Sequence, residues 1–256
     1  MIRVITGLLL ALFACYVVLL SPPLVFRLTA VAVGAQCYWE YSGLVKAHGI
    51  PRPAVFGFLA GLALLFATGP VAVLAISLLL VAALSVGLRD NNLAEILPRV
   101  ACEFFGALYT FLPWHFAELL RMRSIHWLLF ALAVTWFGDS VAYYVGRGFG
   151  RHRLAPIVSP NKSWEGAAGA VGGSVAFGLL YMGYFEPHIV AWKVIVVAVL
   201  SNVAGQFGDL VESAIKRGAG VKDSGALLPG HGGLLDRVDG SLFAIPVAYA
   251  LSLLIS

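Results

Sequence analysis

Residues 189–217 read IVAWKVIVVAVLSNVAGQFGDLVESAIKR, a run that is apolar apart from Lys193 up to Leu200 and then takes on polar side chains at a regular interval. Asn202, Gln206, Asp209, Ser213 and Lys216 follow one another by four, three, four and three residues. On a helix of about 3.6 residues per turn, that spacing draws one polar stripe down an otherwise apolar rod. An ionisable group in hydrocarbon costs at least ~2.5 kcal/mol on insertion scales, and it persists mainly where it faces a cavity or a partner. The stretch therefore reads as a membrane helix with a working face. Hydrogen bonding between helices accounts for Asn202 and Gln206. It accounts poorly for Asp209 beside Glu212, because neighbouring carboxylates repel unless a cation joins them.

The rest of the chain agrees with a membrane helix at this position. Of 256 residues, 60% are hydrophobic and 12% charged, and the mean hydropathy is +0.90. A bilayer crossing needs about 20 apolar residues, and candidate runs lie at 4–20, 28–46, 54–69, 70–87, 100–117, 126–146, 165–184, 189–208 and 240–255. The expected fold is all-α, a polytopic integral membrane helical bundle of about nine transmembrane helices forming one domain over residues 1–256. The run behind Arg3 reads as the first span, since no small-x-small cleavage site leads from it into a soluble domain. The third and fourth runs are separated only by Thr68-Gly69-Pro70.

With the N-terminus in the cytoplasm, only Arg27, Arg121, Arg123 and Lys193 of the 17 Lys and Arg lie outside. The other thirteen lie inside, which follows the positive-inside rule and puts residues 147–164 and 209–239 in the cytoplasm. The net charge of +4 sits at membrane boundaries, not on a basic soluble domain. It points to anionic headgroups and phosphorylated substrates, and no nucleic acid partner is expected. Cys15, Cys37 and Cys102 are far apart and lack metal-ligand spacing, so neither a disulfide nor a zinc site is expected. Small residues at Gly57 and Gly61, and at Gly169 and Gly173, suit close helix packing. They are also compatible with a homodimer.

Chemistry concentrates in residues 209–239, DLVESAIKRGAGVKDSGALLPGHGGLLDRVD, which hold five carboxylates and four Lys or Arg. Phosphate chemistry needs carboxylates to hold a divalent cation, cations to neutralise phosphate oxygens, and glycines that let backbone N–H groups approach. Asp236 and Asp239 are three apart at the start of the last span, on one helical face. The helix macrodipole alone would favour acids there by roughly 0.3–1 kcal/mol. Together with Asp209 they are candidates to converge on one Mg²⁺, with a second cation beside it as a further candidate; oxygen ligands suit that ion and not zinc. Pro229 to Gly233 form a turn able to wrap a phosphate. His231 within it can donate to an oxyanion or simply cap the turn. Upstream, Asp139, Tyr143 and Arg147 are four apart and share one face. The basic loop that follows reaches Lys162, and phosphate binding or headgroup anchoring explains it. Ser163 suits the cap of the next helix.

At these residues the chain resembles the phosphatidate cytidylyltransferase family, also called CDP-diacylglycerol synthase. The family signature runs S-x2-K-R-x4-K-D-x-[small]-x2-[apolar]-[PGS]-x-H-G-G-[apolar]-x-D-R-[apolar]-D. Ser213, Lys216, Arg217, Lys222, Asp223, Gly225, Leu228, Pro229, His231, Gly232, Gly233, Leu234, Asp236, Arg237, Val238 and Asp239 satisfy it over 27 residues without a gap. GDSVAYYVGRGFGR and SPNKSWEG upstream are also similar to the family, so the likeness covers at least residues 136–245. The first 125 residues resemble it only in hydropathy.

The resemblance implies transfer of CMP from CTP to phosphatidic acid, giving CDP-diacylglycerol and pyrophosphate in phospholipid biosynthesis. The implied setting is a bacterial-type inner membrane, with the active site on the cytoplasmic side and membrane lipids as partners. It implies catalytic roles for Asp209, Lys222, Asp223, Asp236 and Asp239, with Asp209, Asp236 and Asp239 as metal ligands. Substrate contacts fall to Asp139, Arg147, Lys162, Ser213, Lys216, Arg217, His231 and Arg237. The nucleophile is already an anion, so no strong general base and no covalent enzyme intermediate are expected. Two other classes share features of the chain. A CTP-using lipid kinase would share the metal chemistry but leave phosphate, not CMP, on the lipid. A secondary transporter would concentrate its polar groups near the bilayer centre, whereas most here lie at the cytoplasmic edge.

Overall fold

The structure, a computed structural model, describes residues 2–53, 55–89, 92–228, 230 and 232–255. Among the described residues ten α-helices follow one another: α1 (Ile2–Leu19), α2 (Pro23–Ala47), α3 (Val55–Phe66), α4 (Gly69–Gly87), α5 (Ile96–Thr110), α6 (Leu112–Arg123), α7 (Ile125–Phe149), α8 (Trp164–Phe185), α9 (Ala191–Gly218) and α10 (Leu235–Ile255). A 3₁₀ turn at Leu93–Glu95 precedes α5, and a hairpin of β1 (Arg153–Ala155) and β2 (Ser159–Ser163) joins α7 to α8. Among the described residues, five helices are long and apolar enough to cross a membrane, namely α4, α7, α8, α9 and α10. The protein is thus a helical membrane protein. α3, with 12 residues, rises about 18 Å, short of the ~30 Å hydrocarbon layer.

Two local features differ from the sequence expectation. The run at 100–117 is not one span: α5 ends at Thr110 and α6 starts at Leu112. Pro113 has no N–H to donate, and its ring crowds the carbonyl four residues back, so it is tolerated only in the first turn of a new helix. Phe111, at the break, is fully buried. The stretch between α7 and α8, read as loop, contains the antiparallel β1–β2 pair with Arg153 opposite Ser163 and Ala155 opposite Ser159.

The chain divides into two compact units interleaved in sequence, the first comprising residues 1–8, 22–115 and 215–237 and the second residues 9–21, 116–214 and 238–256. In the first unit the core forms around Tyr38, Leu65 and Phe111, with Val31, Ala35, Phe58, Leu62 and Trp114 packed against it. Gly61 makes room for the Phe111 ring, since a Cβ there would lie 2.2 Å from it. Helix α9 ends in this unit with a Schellman motif: the Val221 N–H donates to the Lys216 carbonyl and the Gly220 N–H to the Arg217 carbonyl, both at 3.0 Å. Gly220 takes the left-handed φ of 71° that the motif requires.

In the second unit α7 and α8 pack along their length, with Gly169 against Val145 and Gly173 against Val141. Helix α9 is tied to this pair by the polar residues expected to be glue. Asn202 Nδ2 donates to the Val134 carbonyl at 3.2 Å, and Gln206 Nε2 donates to the Ala167 carbonyl at 3.2 Å and to Asn202 Oδ1 at 2.7 Å. Ser163 caps α8 by accepting from the Gly166 N–H at 3.1 Å.

Candidate active site

In the first unit the segment after α9 folds back on two buried carboxylates. The backbone N–H groups entering α10 have no intrahelical partners, and the residue before the helix, Leu234, offers no side-chain acceptor. Glu40, from α2, supplies it: its carboxylate accepts from Leu234 N at 2.9 Å and Leu235 N at 2.8 Å. The same carboxylate accepts from Ser224 Oγ at 2.9 Å and Gln36 Nε2 at 2.9 Å. A carboxylate at a helix N-terminus also meets the positive end of the macrodipole. Glu40 is only 4% exposed.

Asp236 stitches the same segment from within α10. It accepts from Gly233 N at 2.7 Å, a reach back of three residues as in a capping box. It also accepts from Ser224 N at 2.9 Å and Ser224 Oγ at 3.0 Å, and from Lys216 Nζ at 2.5 Å. The single Ser224 hydroxyl is thus shared between Glu40 and Asp236. A Cβ on Gly233 would lie 2.3 Å from Glu40 Oε2 and 2.2 Å from Ser224 Oγ. That glycine is required because the chain wraps its own carboxylates. Lys216 and Asp236 have side chains only 10% and 4% exposed. Arg217, Lys222, Asp223 and Arg237 are exposed, and Arg217 Nη1 donates to the Val221 carbonyl at 3.2 Å. His231 and Pro229 lie outside the described residues.

In the second unit a separate, more open cluster forms at the hairpin. Lys162, on β2, ion-pairs with Asp209 of α9, and Ser213 Oγ donates to the other Asp209 oxygen at 3.3 Å. The two side chains are 28% and 33% exposed. Asp239 stands where α10 packs closely on α9: a Cβ on Gly208 would fall 2.6 Å from the Asp239 carbonyl. Its carboxylate accepts from Gly240 N at 2.7 Å. Asp209 and Asp239 therefore flank one helix crossing. Glu212, by contrast, is fully buried. Among the described residues, no three His, Cys, Asp or Glu come together as a metal-binding group.

On α7, Asp139 and Arg147 are exposed, and Arg147 Nη1 donates to Tyr143 Oη at 3.1 Å, as the four-residue spacing predicts. Glu165, at the start of α8, holds the basic turn before the hairpin. It accepts from the Arg151 N–H at 3.1 Å and from His152 through both its N–H and Nδ1.

Sequence reasoning missed Glu40, Ser224 and Glu165. The signal for Glu40 was present, since it is a carboxylate inside the predicted span 28–46 and carries the same insertion cost as Asp209. No local pattern pairs Ser224 with Glu40 across 184 residues.

The chain matches the family model described as the cytidylyltransferase family over residues 1–255. It is similar to the phosphatidate cytidylyltransferase of Staphylococcus saprophyticus, 44% identical over 127 residues, which is 50% of this chain and 49% of that protein. Similarity to the protein of that name from Staphylococcus epidermidis is 42% over 127 residues, again 50% and 49% of the two chains. For that of Staphylococcus aureus it is 35% over 164 residues, 64% of this chain and 63% of the relative. The chain spans about half the length of the first of these curated relatives.

Proposed function

This chain belongs to the cytidylyltransferase family, and from that premise we propose that it transfers CMP from CTP to phosphatidate. One observation carries the reading: a 27-residue signature folds so that Lys216 and Asp236 are buried as a pair while Arg217, Lys222, Asp223 and Arg237 stay exposed. That division supplies a rigid base and a charged surface for phosphates. An oxygen of the lipid phosphate attacks the α-phosphorus of CTP. The new P–O bond forms as the bond from that phosphorus to the β-phosphate bridging oxygen breaks, and the electron pair leaves with pyrophosphate. The attacking oxygen carries its own negative charge, so catalysis rests on positioning and charge neutralisation.

Arg217, Lys222 and Arg237 take phosphate contacts, with Lys216 behind them and Lys162, Arg147, Ser213, Asp139 and His231 as further substrate-side groups. Asp223 either orients Lys222 or joins the metal shell. Asp209 and Asp239 fit Mg²⁺, an ion commonly held by one or two carboxylates with substrate phosphates completing its shell. Asp236 suits that role less well, because four hydrogen bonds already occupy its oxygens. When bound, the ion would neutralise phosphate oxygens and stabilise the leaving pyrophosphate. A second cation, if present, would have to draw on the phosphates for most of its ligands.

The same proposal includes one membrane domain of about nine passes in a bacterial inner membrane, with the active site on the cytoplasmic face. The bias of Lys and Arg supports that orientation. Two consecutive long helices, α8 and α9, support placing the hairpin and the 209–239 segment on one side. A homodimer and bound membrane lipids belong to the same reading.

The test uses purified protein in detergent with phosphatidate, Mg²⁺ and CTP labelled at either the α- or the γ-phosphate. We expect α-label on the lipid and γ-label in pyrophosphate. A γ-label on the lipid would make the protein a kinase, and no transfer across lipid and metal conditions would favour a transporter.

A further inference from the structure

Glu40 lies outside the 27-residue signature, on α2, yet its carboxylate accepts three hydrogen bonds from the signature segment. We infer that Glu40 is a positioning residue for the proposed cytidylyl transfer, an inference that rests on that functional reading. Its carboxylate stands in for the missing cap of α10, and it holds Ser224 beside Leu234 and Leu235 at the start of that helix.

Three observations carry this. The hydrogen bonds to Leu234 N, Leu235 N and Ser224 Oγ are 2.8–2.9 Å long and converge on one side chain that is 4% exposed. The segment is shaped to admit that side chain, because Gly233 and Gly225 would place a Cβ 2.3 and 3.0 Å from it. Glu40 also meets Asp236 through the shared Ser224 hydroxyl, so it is linked to the Lys216–Asp236 pair. Lys222 and Asp223 stand immediately before Ser224, and both are exposed. Glu40 touches no reacting atom. It acts by fixing where the exposed charges stand.

The experiment compares Glu40→Gln, Ser224→Ala and the double variant with the parent in detergent. Three readouts are taken: the kinetics of α-label transfer from CTP, the rate of trypsin cleavage after Lys222, and the unfolding midpoint. The Gln amide nitrogen would face backbone N–H groups where the carboxylate accepted, so the clasp opens without loss of bulk. We expect kcat/KM for CTP to fall about tenfold or more. Cleavage after Lys222 should quicken by a similar factor while the midpoint stays near that of the parent. Because both residues act through one loop, the double variant should lose little more than Glu40→Gln alone. Parent-like cleavage and activity in Glu40→Gln would overturn the inference, and so would losses that simply multiply in the double variant. If Glu40→Gln does not fold, Ser224→Ala decides by the same two readouts: faster cleavage with lower kcat/KM supports the clasp, and parent values overturn it. A parent that transfers no CMP would sink the functional reading, while trypsin cleavage would still judge whether Glu40 orders the segment.

Discussion

Two lysine–aspartate pairs, each with a serine at the aspartate, occur in the two units, and they differ chiefly in burial. Lys216 and Asp236 are 10% and 4% exposed, with both Asp236 oxygens engaged. Lys162 and Asp209 are 28% and 33% exposed, and Ser213 reaches the second Asp209 oxygen only at 3.3 Å. A half-exposed ion pair is typically worth about 0–1 kcal/mol, so either member can exchange its partner cheaply. Removing one member of a buried pair costs about 3–5 kcal/mol, because the survivor is left charged and desolvated. Similar residues therefore serve opposite ends. The buried pair holds Lys216 and Asp236 in place, whereas the open pair leaves Lys162 and Asp209 accessible to solvent.

The largest effect expected from this contrast is on stability. Asp236→Ala should destabilise the folded protein by about 3–5 kcal/mol, measured by denaturant or thermal unfolding in detergent. A loss below about 1 kcal/mol would mean that the buried pair behaves like the open one. Next, Asp239→Asn should lower CMP transfer at least about a hundredfold, or ~2.7 kcal/mol in the barrier, with the unfolding midpoint unchanged. Near-parent turnover would remove Asp239 from the metal-holding role, although it stands only three residues from Asp236. The smallest change is expected for Lys162→Ala, where stability should move by less than about 1 kcal/mol while kcat/KM falls about tenfold. Comparable losses in both quantities would erase the distinction between the pairs.

The helix that carries one member of each pair was legible in the chain, but the division between the pairs was not. The three- and four-residue spacing from Asn202 to Lys216 foretold one helix, and α9 runs unbroken through all five residues. The same spacing could not sort them, because glue and ligand share a helical face. Only the partners separate Gln206, bonded to a backbone carbonyl, from Asp209, paired with Lys162. The glycines near residue 232 read as a phosphate wrap because flexible backbone near cations suggests one. In the folded chain Gly233 lies against Glu40 and donates to Asp236, which accounts for that one glycine; Pro229 and His231 of the turn lie outside the described residues.

The sequence by itself determined a helical membrane protein, its cytidylyltransferase kinship, and which polar residues are grouped along the chain. Those follow from local rules, since hydrocarbon penalises charge wherever it stands, helical period needs only neighbouring residues, and a dense motif carries its own register. Tertiary structure decided which carboxylates are locked and which stay open, and it brought Glu40 to a helix start 195 residues away. Burial and hydrogen-bond pairing depend on what a remote segment places alongside, and no local pattern encodes that.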